Sequence, residues 1–273
     1  MKAVVMAGGE GTRLRPLTSN QPKPMLPLVG RPMMQHTLRL AHQHGFNEIV
    51  ATVHFLASVV RNFFGDGSDL DLSLSYATEE EPLGTAGSVK NAAPLLEGDR
   101  VLVLSGDSLT DVDLTELMQF HEKKGAAVTV TLKRVTDPLE FGIVITDEDD
   151  KVERFLEKPG WGEVFSDTIN TGIYVIEPEV IDLIPDGEVD FARDLFPMLL
   201  DKGLPIYGYT TDRYWTDVGN IGAYMRAHRD ALDRKVQLEI EGFEVRRGVW
   251  LGDGAELDPD AVVRRPVYIG ENT

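Results

Sequence analysis

The stretch that decides the fold is Ala7-Gly8-Gly9-Glu10-Gly11-Thr12-Arg13-Leu14-Arg15-Pro16-Leu17-Thr18, followed by Pro22-Lys23-Pro24. Before it runs Ala3-Val4-Val5-Met6, a short apolar segment that reads as a buried strand. Three glycines then fall within four residues, where the backbone must turn tightly and let another group come close. N–H groups freed in such a loop form a concave anion site, and two arginines and a lysine follow to supply charge. The pattern is a phosphate-handling loop. It is not a Walker A loop, because Gly11 is followed by Thr12-Arg13 rather than by lysine and a hydroxyl residue. Nor is it a dinucleotide fingerprint, which opens a helix directly; prolines at 16, 22, 24 and 27 oppose one here.

Composition narrows the partners. A chain of 273 residues, 42% apolar, holds one large α/β domain and something small. The net charge of −18 argues against nucleic acid or an anionic membrane. Yet Lys2, Arg13, Arg15, Lys23 and Arg31 face only Glu10 in the first 31 residues. Such a cationic island suits a small polyanion. The absence of cysteine removes disulfides, thiolate metal sites and a cysteine nucleophile. No run approaches the roughly 20 apolar residues of a membrane span, and the N-terminal apolar run is too short for a signal peptide. A cytoplasmic location and a homo-oligomer are expected.

Along the chain, the pattern predicts a helix over 32–44 entered at Pro32 and closed by Gly45, then a strand at 48–54. A helix at 57–64 and a strand at 72–77 follow, then the loop Glu79-Glu80-Glu81-Pro82-Leu83-Gly84-Thr85-Ala86-Gly87 and a helix ended by Pro94. Val101–Leu104 is a continuous apolar strand running into Ser105-Gly106-Asp107. Asp113 with Glu116 forms a capping box for a helix to Lys124. This alternation predicts an open, doubly wound α/β sheet, whose ligands sit beyond the carboxyl ends of the strands. Both the glycine loop and Asp107 fall there, so they can share a cleft.

From 126 to 218 the texture is β-rich, with strands at 128–132, 142–146, 152–156 and 171–176 and a helix near 191–202 that Pro197 starts or kinks. Asn220 caps a helix over 221–232. Leu251, Leu257, Val263 and Ile269 then recur every six residues, the period of a left-handed β-helix. The last repeat is incomplete, which implies a truncated chain or a partner over the open end.

Gly-Gly-x-Gly-Thr-Arg-Leu-x-Pro-Leu-Thr with Pro-Lys-Pro-Met resembles the signature of the sugar-phosphate nucleotidylyltransferases. Ser105-Gly106-Asp107, Glu157-Lys158-Pro159, Asn170-Thr171-Gly172 and Trp215-Thr216-Asp217-Val218-Gly219 follow in that family's order over about 220 residues. The resemblance implies a Rossmann-like mixed-sheet nucleotidyltransferase domain over 1–235. Residues 236–273 are then a linker and the first hexapeptide repeats.

Residue by residue, the resemblance implies the following roles. Asp107 and Asp217 hold Mg²⁺, a task that suits a few carboxylate oxygens completed by water and phosphate; taken alone, each aspartate also suits a turn. Arg13 neutralises the leaving pyrophosphate, Lys23 holds the nucleotide's phosphates, and Lys158 holds the attacking phosphate. Ala7, Gly8, Gly9, Gly11, Thr12, Gly84 and Thr85 contact the nucleotide. Gly142, Glu157, Asn170 and Thr171 contact the sugar. No protein nucleophile is needed, since catalysis here is positioning and charge neutralisation. Arg15 assists or is a solvated charge.

Hydrogen bonding distinguishes the bases. Guanine offers two adjacent donors that one carboxylate can accept, whereas uracil and thymine offer one donor between two acceptors. Glu79 stands five residues before Gly84, where pyrimidine-using relatives tend to carry glutamine, and the run resembles that of mannose-1-phosphate guanylyltransferases. GTP and mannose 1-phosphate are therefore expected to give GDP-mannose. The alternative is a glucose-1-phosphate nucleotidylyltransferase using dTTP, UTP or ATP. A non-catalytic paralogue that binds nucleotide sugar and regulates a partner is a further alternative, disfavoured because Arg13, Lys23 and both aspartates are present.

Overall fold

The computed structural model describes residues 1–157 and 166–273. At its centre lies β1 (Lys2–Met6) in a nine-stranded sheet. Ala3 and Val5 enter the core on one face and Val4 the core on the other, so an uninterrupted apolar run is what this position requires. Beyond β1 the glycine loop leads to two single 3-10 turns, Thr12–Leu14 and Lys23–Met25, with Pro24 inside the second. A small hairpin of β2 (Pro27–Leu28) and β3 (Arg31–Pro32) follows. The prolines thus restrict the chain to short turns.

Helix α1 (Met33–Gln43) returns the chain to β4 (Glu48–Val53), parallel to β1, and α2 (Ala57–Phe64) leads to β5 (Ser73–Thr78) beside β4. Helix α3 (Gly84–Leu96) crosses to the other side of β1, where β6 (Val101–Ser105) pairs in parallel. The strand order therefore reverses between β1 and β6, which makes their carboxyl ends the switch-point crevice of a doubly wound sheet. Pro94 lies inside α3 rather than ending it. In the last turn a proline costs one backbone donor, and two further residues stay helical before Glu97 turns left-handed.

The β-rich half extends the sheet in the antiparallel sense. After β7 (Ser108–Thr110), α4 (Leu114–Lys124) is capped by the Asp113 carboxylate, which accepts from Glu116 N at 2.9 Å. Strands β8 (Val128–Arg134), β9 (Gly142–Thr146), β10 (Val152–Glu157) and β11 (Thr168–Ile176) come next. β11 pairs antiparallel with β8, with a register break between Asn170 and Tyr174; it also pairs with β6 through Tyr174–Ile176 and reaches β9 at Ile169. Helix α5 (Pro178–Leu183), a π-helical turn at Phe191–Leu195 and α6 (Phe196–Asp201) lead to β12 (Ile206–Thr211), parallel to β8. Pro197 sits in the first turn of α6 and starts it. β13 (Trp215–Asp217) then pairs with β7, and α7 (Ile221–Leu232) is capped by Asn220 Oδ1, which accepts from Ala223 N.

The C-terminal residues form a separate three-stranded sheet of β14 (Phe243–Arg246), β15 (Val249–Leu251) and β16 (Val267–Ile269). β15 and β16 are parallel, with Val249 opposite Val267 and Leu251 opposite Ile269, a step of three hexapeptides. Of the predicted repeat positions, Leu257 and Val263 lie outside strands. This unit packs on the β2–β3 hairpin: Leu28, Val29 and Met33 share one core with Val236, and Trp250 and Tyr268 pack against it. Arg31 Nε donates to Glu241 Oε1 at 2.6 Å across the same contact. Among the described residues no helix is long and apolar enough to cross a membrane.

Candidate active site

The β7–β13 ribbon sets Asp217 opposite Ser108, next to the turn that carries Asp107. Between the two carboxylates lies Lys23, only 8% of its side chain exposed, with Nζ 2.7 Å from Asp107 Oδ2 and 3.2 Å from Asp217 Oδ1. Burial would pull the Lys23 ammonium down, but the two carboxylates outweigh it and its pKa is raised. Asp107 Oδ1 and Asp217 Oδ2 accept no hydrogen bond among the described residues. Two carboxylates that converge on one cation and keep an oxygen each fit a hard divalent ion completed by phosphate and water. No group of three or more potential ligands occurs among the described residues.

The glycine loop wraps this centre. Gly11 has φ 66°, and a Cβ there would lie 2.8 Å from Lys23 Cβ, so both the turn and the close approach require glycine. Thr18 Oγ1 pins the loop by donating to the Gly11 carbonyl at 2.8 Å. Ala7 N is spent on the Thr52 carbonyl, whereas the N–H groups of Gly8 through Arg13 donate to nothing among the described residues. Thr12 and Arg13 are exposed in the 3-10 turn, and a Cβ on Gly219 would lie 3.1 Å from Arg13 Nη2 and closer still to Asp217 Oδ2. Arg13 thus stands beside Asp217 with no ion pair among the described residues. Arg15 instead pairs with Glu10 at 3.7 Å on the surface.

Two cavities open from the centre, sharing Thr85, Ser105, Asp107 and Asp190 in their walls. The first, about 320 Å³, lies over Gly8, Gly9, Thr52, His54 and Glu79. Burial separates the three glutamates: Glu79 is 7% exposed, while Glu80 and Glu81 are exposed. Glu79 Oε2 accepts from Leu83 N at 3.3 Å, and Oε1 has no partner; Thr52 Oγ1 is likewise buried and unpartnered. Buried polar atoms without partners are rare in folded chains. Gly84 and Thr85 also line this cavity. Thr85 Oγ1 donates to Asp190 Oδ2 at 2.8 Å and accepts from Phe191 N at 2.9 Å. The Ala86 and Gly87 N–H groups at the start of α3 are taken by the Val189 carbonyl.

The second cavity, about 650 Å³, brings Gly142, Asn170 and Thr171 together with Arg13, Lys23 and both aspartates. Asn170 Nδ2 donates to Tyr174 Oη at 2.9 Å, and its Oδ1 accepts from Gly172 N, which orients the amide. The Thr171 hydroxyl is buried and spent on the Thr131 carbonyl, while its own carbonyl accepts from Trp215 Nε1. Thr171 therefore helps to hold the wall together, with its hydroxyl proton committed to Thr131. Glu157 ends β10 opposite Gly142; its side chain and Lys158 lie outside the described residues. Asp190 and Arg226 are among the wall residues that escaped the sequence reading. Asp190 caps the π-helical turn by accepting from Ala192 N and Arg193 N, a signal legible only as an ordinary cap. Arg226 carries no motif at all.

A switch-point crevice with a glycine loop, free backbone donors and two carboxylates around a shared cation defines an α/β domain for phosphorylated small molecules. The chain belongs to the Nucleotidyl transferase family, whose pattern matches residues 2–234. It is 41% identical to the UTP-glucose-1-phosphate uridylyltransferase of Synechocystis sp., over 100% of this chain and 74% of that one. It is 42% identical to the mannose-1-phosphate guanylyltransferase of Mycobacterium tuberculosis, over 94% of this chain and 76% of that one. Among solved structures, a Bacillus anthracis protein described as a glucose-1-phosphate thymidylyltransferase superposes with a TM-score of 0.77 at 28% identity. That superposition covers 88% of this chain and 97% of the other.

Proposed function

We propose that this nucleotidyltransferase joins a nucleoside triphosphate to a sugar 1-phosphate and releases pyrophosphate, with GTP and mannose 1-phosphate as its substrates and GDP-mannose as product. A phosphate oxygen of the sugar phosphate attacks the α-phosphorus in line, and the bond to the β-phosphate oxygen breaks. Lys23 holds the two aspartates and the nucleotide's phosphates in register. Arg13 and the free N–H groups of Gly8–Thr12 receive the charge of the departing pyrophosphate. Asp107 and Asp217 would hold Mg²⁺, which when bound supplies charge neutralisation between the two phosphate groups. The Gly142 backbone and Asn170 orient the sugar, with Glu157 and Lys158 expected to complete that wall.

The observation that carries the guanine reading is the Glu79 carboxylate, buried in the first cavity with Oε1 unpartnered. It is an acceptor only, which matches two adjacent base donors. One observation favours a second reading, a uridylyltransferase acting on glucose 1-phosphate: the name of the 41% identical Synechocystis relative. We also read the parallel β15–β16 pairing as the first coil of a left-handed β-helix.

Pyrophosphate release from GTP, ATP, UTP and dTTP, each against mannose and glucose 1-phosphates, tests the assignment. The GTP and mannose pair should give the highest kcat/KM. A higher value for UTP with glucose 1-phosphate would replace it by the second reading, and no release with any pair would sink both.

A further inference from the structure

Arg226 lines the second cavity beside Arg13 and Lys23. It projects from α7 on the same face as Asn220 and Ala223, which line the cavity too. The ordinary fate of an exposed helical arginine is a carboxylate four residues along. Here that residue, Asp230, already accepts from Tyr214 Oη at 2.8 Å and Lys235 Nζ at 2.7 Å. No hydrogen bond or ion pair engages Arg226 among the described residues.

Two cations of this cavity are therefore uncommitted: Lys23 is shared between two carboxylates, while Arg13 and Arg226 make no hydrogen bond or ion pair among the described residues. Both guanidinium groups stand over the start of α7. Arg13 Nη2 lies 3.1 Å from where a Cβ on Gly219 would be, and Arg226 Nη1 3.6 Å from where one on Gly222 would be. The sugar candidates Gly142 and Asn170 come instead from β9 and β11.

We infer that Arg226 is a second pyrophosphate-binding arginine, acting with Arg13 on the β- and γ-phosphates of the nucleoside triphosphate. This rests on the nucleotidyl-transfer reading above. As the sugar-phosphate oxygen bonds to the α-phosphorus, the bridging oxygen to the β-phosphate leaves with the electron pair. Two guanidinium groups at that end meet a charge that one would leave half matched.

The test is Arg226→Ala and Arg226→Lys in the full chain, with Arg229→Ala on the same helix as control. In the reverse direction, nucleotide sugar plus pyrophosphate, Arg226→Ala should raise the KM for pyrophosphate by about ten- to a hundredfold. The KM for the nucleotide sugar should stay unchanged, with lysine restoring part of the loss and Arg229→Ala matching wild type. An unchanged KM for pyrophosphate, or a loss falling on the sugar 1-phosphate, overturns the inference. Calorimetric titration with inorganic pyrophosphate and Mg²⁺ reads the same contact without turnover. A wild type that binds pyrophosphate tighter than Arg226→Ala yet turns over no substrate pair defeats the transfer reading alone; equal binding defeats this inference.

Discussion

The Asp217 carboxylate meets Lys23 Nζ at 3.2 Å across 194 residues of chain. With Asp107 on the other side, this contact raises the folded-state pKa of Lys23 above the ordinary 10.5. Stability linked to Lys23 is thus complete below about 10.5 and lost as pH rises through the raised folded value. Lys23→Met should destabilise the protein by about 1–2 kcal/mol at pH 7, since both carboxylates are partly solvated. The difference from wild type should shrink above pH 10.5 in urea titrations. A difference independent of pH would contradict the linkage.

Asp107→Asn and Asp217→Asn should each lower kcat roughly 10²–10³-fold while leaving the circular dichroism spectrum unchanged. Chelation of divalent ions should abolish turnover in the wild type. Near wild-type kcat in either variant at saturating Mg²⁺ would remove that aspartate from the site.

Glu79→Gln keeps the shape but turns an acceptor toward the base into a donor. The kcat/KM for GTP should fall by about 1–3 kcal/mol, and its advantage over UTP should narrow. Glu80→Gln and Glu81→Gln, both on exposed side chains, should leave the GTP-to-UTP ratio unmoved. If all three variants keep the wild-type ratio, Glu79 does not read the base.

Gly219→Ala should slow turnover about ten- to a hundredfold without unfolding the protein, because the new Cβ would press on Asp217 Oδ2 and Arg13 Nη2 together. Kinetics and thermal melts on the same sample check this. A variant with normal kcat would mean that neither group needs its present position.

His36 and His228 hold the hairpin that follows Lys23: His36 Nε2 binds the Leu28 carbonyl at 2.9 Å, and His228 Nδ1 receives Val29 N at 3.4 Å. Burial lowers both pKa values below 6.5. The unfolded chain therefore takes up protons first, and stability should fall as pH drops below about 6.5, by up to roughly 1.4 kcal/mol per pH unit for each group. Urea midpoints that stay level from pH 7 to pH 5 would exclude this.

The features that depend on near neighbours are legible in the order of residues. Glycines at 8, 9 and 11 specify a loop with free N–H groups, and Asp113 with Glu116 specifies a helix start. The unbroken apolar runs at 3–6 and 101–104 specify strands buried on both faces. These follow from backbone sterics and from burial periodicity, which act over a few residues. The remaining features arise from contacts between distant segments. Asp217 reaches Asp107 because Trp215–Asp217 pairs with Ser108–Thr110, a register that nothing in either short segment encodes. Glu79, singled out by its spacing from Gly84, is also the one of the three glutamates that is buried, a difference their like side chains do not encode. The hydroxyls of Thr85 and Thr171 donate to Asp190 and Thr131, partners that nothing in their motifs announces. Asp190 and Arg226 joined the site because the strands and α7 converge there, and such convergence is a sum of long-range contacts rather than a local pattern.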